Sequence, residues 1–263
     1  LEADSNKGPD AIGGKDGGDH NFVYEAGTNK KLTPSSVQAR AEPDSLKQGL
    51  VLWLTFDEGT GTIAYDYSGN GNNGTLVNNP QWVDGKVGKA LKFSPGYVSV
   101  NYSSSLDSPA QTDSISIVLW VWVPINPSDY PPYCMIYREG TTGNYLESDA
   151  PYCFRIDEGG TSNIYGISIH DRLWSGLNVG GPSKSNFEGT WHFAAITYSN
   201  GVFKLYLDEL KTTTNLTWDI LSSPNKFYVA KHSGVLVGLI DEVRLYNRAL
   251  SDAEIKALYD ATK

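Results

Sequence analysis

The sequence predicts an all-β protein: two antiparallel sheets packed as a jelly-roll sandwich and closed by a short C-terminal helix. Three observations carry this. From Gly49 onward, stretches rich in β-branched and aromatic residues alternate in polarity and are separated by clusters of Gly, Pro, Asn, Asp and Ser. Asn200-Gly201 sits between two such stretches, the residue pair that a two-residue hairpin turn favours. Helical spacing is confined to "LSDAEIKALYDAT" at residues 250–262. Many strands with one helix bury their apolar faces best as sheet on sheet.

In chain order, residues 1–19 ("LEADSNKGPDAIGGKDGGD") are Gly- and Asp-rich with almost nothing to bury, which predicts a linker. "HNFVYEA" (20–26) is a short apolar patch, and a polar connector follows it. Residues 1–48 therefore read as an N-terminal extension and 49–263 as the folded domain. Phe22, Val23 and Tyr24 are long enough for a strand, and we expect them to pair with a free sheet edge, in cis or in a neighbouring copy. The second arrangement would link copies into a filament.

"GLVLWLTFDEG" (49–59), "SISIVLWVWVP" (114–124), "YCFRID" (152–157) and "NIYGISIH" (163–170) read as strands. So do "TWHFAAITY" (190–198), "VFKLYLDEL" (202–210), "KFYVA" (226–230) and "GLIDEVRLY" (238–246). In the final segment Ser251 and Glu254 have the spacing of a capping box, and Ile255, Leu258 and Tyr259 form one apolar stripe. That stripe should dock on the sandwich.

A chain of 263 residues suffices for one large β domain with a sizeable core. Its net charge of −9 argues against nucleic acid and anionic membranes as partners. No apolar run reaches the eighteen residues of a membrane span, so membrane insertion is not expected. Sequons stand at Asn73, Asn101 and Asn215, a pattern of exported proteins. Cys134 and Cys153 are the two cysteines, either a pair of thiols or a disulfide closing a loop of about twenty residues. We expect the disulfide.

The densest polar stretch is "YDYSGNGNNGTL" (65–76). Asp66, Ser68 and Asn70 alternate and are followed by Gly71, which reproduces the first half of a calcium loop with Ser in its third place. Asn72 would add a backbone carbonyl. The bidentate Glu due at position twelve is replaced by Val77. The stretch is thus half a calcium site or an Asn-Gly turn satisfied by its own backbone. Between Pro124 and Pro182, Tyr130, Tyr133, Tyr145, Tyr152 and Trp174 are candidate ligand-binding rings, because such faces stack on sugars and anchor protein interfaces.

Taken in order, "GLVLWLTFDEGTGTIAYDYSGNGNNGTL", "WVDGKVGKALKF", "ISIVLWVWV", "GTWHFAAITYSNGVFKLYLDE" and "GLIDEVRLYNRALSDAEI" resemble the laminin G-like jelly-roll family, in the concanavalin A-like lectin/glucanase group. The resemblance spans about residues 49–263. Glu209 stands where that family usually has Gly, and the Tyr-rich stretch with both cysteines is not a shared motif. The resemblance implies a non-catalytic module on an exported or surface protein, binding a glycan or a cell-surface protein beside a structural calcium. It also implies Asp241, in "GLIDEV", as the missing carboxylate of the Asp66 loop. A structural subunit of an extracellular filament or pilus is the alternative.

Catalysis is not expected. The E-x-D-x-x-E strand of related glucanases is absent, and the neighbouring acids of "IDEG" and "IDEV" should point to opposite faces of their strands. His192 and Tyr198 share strand parity but read as structural. No GxGxxG, P-loop or GxSxG occurs.

Overall fold

The structure, a computed structural model, describes residues 23–24, 31–32, 43–125, 133–141, 150–159, 164–170, 177–215, 217–231 and 236–263. The chain divides into a unit Leu1–Glu42 and a unit Pro43–Lys263. In the first, β1 (Val23–Tyr24) pairs antiparallel with β2 (Lys31–Leu32), Val23 opposite Leu32. Val23 and Tyr24 of the apolar patch do form a strand, paired with β2, and Phe22 lies outside the described residues.

The second unit begins before Gly49. A 3₁₀ turn at Asp44–Lys47 buries Leu46, and Arg248 donates to the carbonyls of Ser45 (2.6 Å) and Gln48 (2.8 Å). Then come β3 (Leu50–Leu54), β4 (Ile63–Ala64), β5 (Gly74–Val77), β6 (Gln81–Asp84), β7 (Lys89–Phe93) and β8 (Tyr97–Val100). After helix α1 (Ser108–Thr112) follow β9 (Ser114–Trp122), β10 (Tyr133–Arg138), β11 (Tyr152–Gly159), β12 (Ile164–His170) and β13 (Leu177–Ser183). Helix α2 (Lys184–Phe187) leads to β14 (Trp191–Ser199), β15 (Val202–Leu207), β16 (Leu210–Asn215), β17 (Phe227–Val229), β18 (Gly238–Tyr246) and helix α3 (Asp252–Thr262).

The strands form two antiparallel sheets. The front sheet runs β13-β12-β11-β10-β17-β8-β5-β4, and the back sheet runs β16-β15-β14-β9-β18-β7-β6. β3 shares one edge of β18 with β7, end to end: β7 pairs with Gly238–Ile240 and β3 with Val243–Tyr246. This is a jelly-roll sandwich, as the alternation predicts. The hairpin at Asn200-Gly201 is present, with φ of 51° and 74°, the left-handed pair that a type I′ turn demands.

β9 shows why its sequence reads as almost unbroken apolar. Ile115, Ile117, Leu119 and Val121 face the front sheet, while Val118 and Trp120 pack outward with Phe193, Tyr246, Ile255 and Leu258. Helix α3 covers that outer face, so both sides of β9 are buried. Ser251 caps the helix reciprocally: its hydroxyl accepts from the Glu254 amide, and the Glu254 carboxylate accepts from the Ser251 amide at 2.8 Å. Burial of Ile255 and Leu258 contributes about 1.5–3 kcal/mol each. Trp120 Nε1 donates to Thr262 Oγ1 at 2.8 Å, which pins the last turn.

Candidate functional site

The 65–76 loop is assembled around Asp66. Its carboxylate accepts from the amides of Trp53, Ser68 and Asn72, each at 2.9 Å, and from Ser68 Oγ at 2.8 Å. Asn70 Nδ2 donates to the carbonyls of Leu50 (3.0 Å) and Val51 (3.1 Å), and Asn72 Nδ2 donates to Val51 at 2.9 Å. Asn72 Oδ1 accepts from Ser103 Oγ at 2.6 Å. Asp66, Ser68, Asn70 and Asn72 do converge, but their polar atoms are spent on β3, on one another and on Ser103 and Ser105. A calcium ion needs oxygens facing inward, and here the amide nitrogens face the carbonyls. The donor set does not fit calcium at Asp66. Its motif is a turn that laces β3 to the β4–β5 hairpin.

Asp241 is not among that loop's partners. It lies on β18 beside a register shift between Asp241 and Arg244. At that bulge Glu242 takes φ of 54°, a left-handed backbone that costs a non-glycine residue some strain. The extra residue breaks the alternation. Asp241 pairs in register with the outward Trp120, and Glu242 bonds to Arg244 (3.0 Å) and to Trp53 Nε1 (3.1 Å). Both acids of "IDEV" therefore leave the core face together, which corrects the expectation from simple alternation.

Asp241 is fully buried. Its Oδ2 accepts from the Val87 amide at 2.9 Å, and its Oδ1 has no hydrogen-bond partner among the described residues. The 85–88 turn leans on it: a Cβ on Gly85 would lie 2.7 Å from Oδ2, so only glycine permits this approach. Asp57 flanks the other side of the turn, accepting from the Lys89 amide at 2.8 Å. Burial, then the charges of Glu242 and Asp57, push the Asp241 carboxyl up to about 8 against the pull of the Val87 amide. Glu58 is similar: one oxygen accepts from the Tyr65 amide at 2.7 Å, the other is buried with no partner among the described residues, and burial pushes the carboxyl up to about 7. Among the described residues no three His, Cys, Asp or Glu side chains converge as a metal-binding group.

Two of the five candidate rings are core residues. Tyr133 is 1% and Tyr152 2% exposed, and Tyr152 meets Trp218 edge-on at 6.5 Å. β-strand parity turned them inward, so they are unavailable to a ligand. Tyr130, Tyr145 and Trp174 lie outside the described residues. The sequon residues Asn73, Asn101 and Asn215 are exposed. Cys134 and Cys153 meet with their sulfurs 3.1 Å apart, and no disulfide joins them in this structure. His192 bonds to Asp208 (2.6 Å) and stacks on Phe187, while the Tyr198 hydroxyl donates to the Trp218 carbonyl at 2.7 Å. Each is committed to the fold.

An open groove of about 430 Å³ was not legible as a motif. Trp120 and Tyr259 stack in it, with centroids 5.8 Å apart and planes at 20°. Half-buried Trp191 and exposed Leu210 and Glu209 form its wall, and Lys86 and Lys263 stand over the Trp120 and Tyr259 rings at 4.5 and 5.6 Å. Asp208 closes one end with φ of 52°, its carboxylate accepting from the Phe193 amide at 2.9 Å. The lining comes from the 85–88 turn, strands β9 and β14, the β15–β16 hairpin and the C-terminal end of the chain at α3, so no spacing in the sequence announces it.

The fold is thus an antiparallel jelly roll carrying an open aromatic groove. The chain belongs to the concanavalin A-like lectin/glucanases superfamily, whose family profile matches residues 95–256. No curated protein matches it. Among solved structures it is similar to domain 4 of AbnA, an extracellular arabinanase from Geobacillus stearothermophilus, in complex with arabinotriose. Identity is 19% and the TM-score 0.59, over 81% of this chain and 98% of that one. It is also similar to the binding domain of Paraclostridial Mosquitocidal Protein 1, at 19% identity and a TM-score of 0.61, over 82% of this chain and 53% of that one. The binding domain of botulinum neurotoxin DC in complex with SialylT is 18% identical, with a TM-score of 0.60, over 83% and 52%. The chain thus spans about half of each toxin binding domain. No helix among the described residues is long and apolar enough to cross a membrane.

Proposed function

We propose that this domain is an extracellular, non-catalytic recognition module that holds a glycan in the groove between α3 and the β15–β16 hairpin. The observation that carries the reading is the convergence of Trp191 and Tyr259 with Lys86, Lys263 and Glu209 in one open cleft. Ring faces of this kind stack on the apolar face of a pyranose, while ammonium and carboxylate groups exchange hydrogen bonds with its hydroxyls. Neighbours of the same fold, solved with arabinotriose or SialylT, support a saccharide as the ligand class. Calorimetry against the best hit of a glycan array tests this. Trp191→Ala and Tyr259→Ala should each weaken binding at least tenfold with melting temperature near wild type. Unchanged affinity in both would remove the groove from consideration.

A second reading concerns calcium, favoured by the buried Oδ1 of Asp241, which has no hydrogen-bond partner among the described residues. We place the ion at Asp241, with Asp57 across the 85–88 turn, rather than at Asp66. Bound there, calcium would supply the positive charge that lets Asp241 stay ionised without water. Its excess over the dissociation constant sets the stabilisation, about 2.7 kcal/mol at a hundredfold excess. Calcium should raise the melting temperature of wild type and not of Asp241→Asn. An equal rise in both would refute this placement.

A further inference from the structure

We propose that Cys134 and Cys153 close into a cross-strand disulfide on the outer face of the front sheet, and that this bond locks the bulge of β10. The two are not directly opposite one another. Cys134 faces Arg155 in register and Cys153 faces Tyr137, so the cysteines form a diagonal pair. In a regular ladder diagonal neighbours stand about 7–8 Å apart, beyond the usual span of a disulfide. Here a register shift between Cys134 and Ile136 adds local twist and draws the diagonal together. The sulfurs end 3.1 Å apart. Reaching a bond length of about 2.05 Å requires each to move roughly 0.5 Å.

The setting favours a finished bond. Both cysteines are buried, at 2% and 0% exposure, in a cluster with Tyr137, Ala150 and Tyr228 that is separate from the inter-sheet core. Once closed there, the disulfide is shielded from reductant. The oxidant is a disulfide of an exporting compartment, either a small-molecule disulfide or an oxidoreductase. One cysteine thiolate attacks it, forming a mixed disulfide and releasing one thiolate. The second cysteine thiolate then attacks the protein-side sulfur and releases the other. The pair gives up two electrons and two protons, and the oxidant leaves as two thiols. Because the sulfurs are inaccessible in the packed sheet, the exchange belongs to folding, before β10 and β11 close.

The test is to refold the whole chain in a glutathione/glutathione disulfide buffer, denature it without reductant, alkylate it and measure the intact mass. We expect no adducts and a mass lower by two hydrogens, with two adducts after reduction. Two adducts without reduction would overturn the bond. The melting temperature of the oxidised chain should exceed that of the reduced chain by roughly 5–10 °C. If the bond forms and the two melt together, the locking role is wrong. Comparing one wild-type preparation with and without reductant avoids dependence on cysteine variants that fail to fold.

Discussion

Asp66 and Asp241 are both acids held against strands of the same sandwich, yet their surroundings are opposite. Asp66 is partly exposed and accepts hydrogen bonds from three amides and a hydroxyl, so its charge is fully served by the loop around it. Asp241 is fully buried, receives one amide, and keeps an oxygen with no partner among the described residues. Polar density in a sequence is therefore a poor guide to unsatisfied polar groups: residues dense in side-chain oxygens can be satisfied by neighbouring backbone, while an acid in an apolar strand keeps an oxygen with no partner among the described residues.

Among single substitutions the largest effect expected from this contrast is on Asp66. Asp66→Ala should cost about 3 kcal/mol in urea unfolding, because it strips acceptors from several backbone amides at once. A calcium chelator should not reproduce that loss. If chelation alone destabilises wild type as much as the substitution does, the loop is a metal site after all.

Next comes pH, through the buried Asp241. The Asp241 carboxyl sits at about 8 in the fold, above its ordinary 3.8. Between those values the native state holds a proton that the unfolded chain has released, so stability falls as pH rises. The slope is at most about 1.4 kcal/mol per pH unit for this group. Glu58, pushed up to about 7 from 4.5, acts in the same direction over its narrower window. Urea midpoints from pH 4 to 8 in chelator should decline, and Asp241→Asn should flatten the decline. An unchanged slope in that variant would show that Asp241 is not the group responsible.

Ser251→Ala probes local satisfaction at smaller scale, since the capping box joins Ser251 and Glu254 as the loop joins Asp66 to its amides. About 1 kcal/mol should be lost, read from the denaturation midpoint. The smallest effect is expected at the β15–β16 turn. Asp208 carries the left-handed φ and exposed Glu209 does not, so Glu209→Gly should change stability by less than about 0.5 kcal/mol. A larger gain would mean that Glu209 strains the turn.

The sequence by itself determined the class and most of the framework. Runs of β-branched and aromatic residues, alternating or continuous, placed β3, β9, β14, β15 and β18, Asn200-Gly201 placed a hairpin, and Ser251 with Glu254 placed the start of α3. These signals are local: period-two patterning, backbone sterics and caps act over a few residues, so they are written where they operate. Short, weakly patterned strands such as β4, β5, β6 and β16 were not legible, because their pairing depends on longer neighbours. Only the tertiary structure decided that Glu242 bulges and turns both acids of "IDEV" outward, or that Tyr133 and Tyr152 are core. It also brought Lys86, Trp191, Glu209 and Tyr259 to one groove and Cys134 to Cys153. Each depends on which strands become neighbours and in what register. That choice is made by burial summed over the whole sandwich, and no short window of sequence contains it.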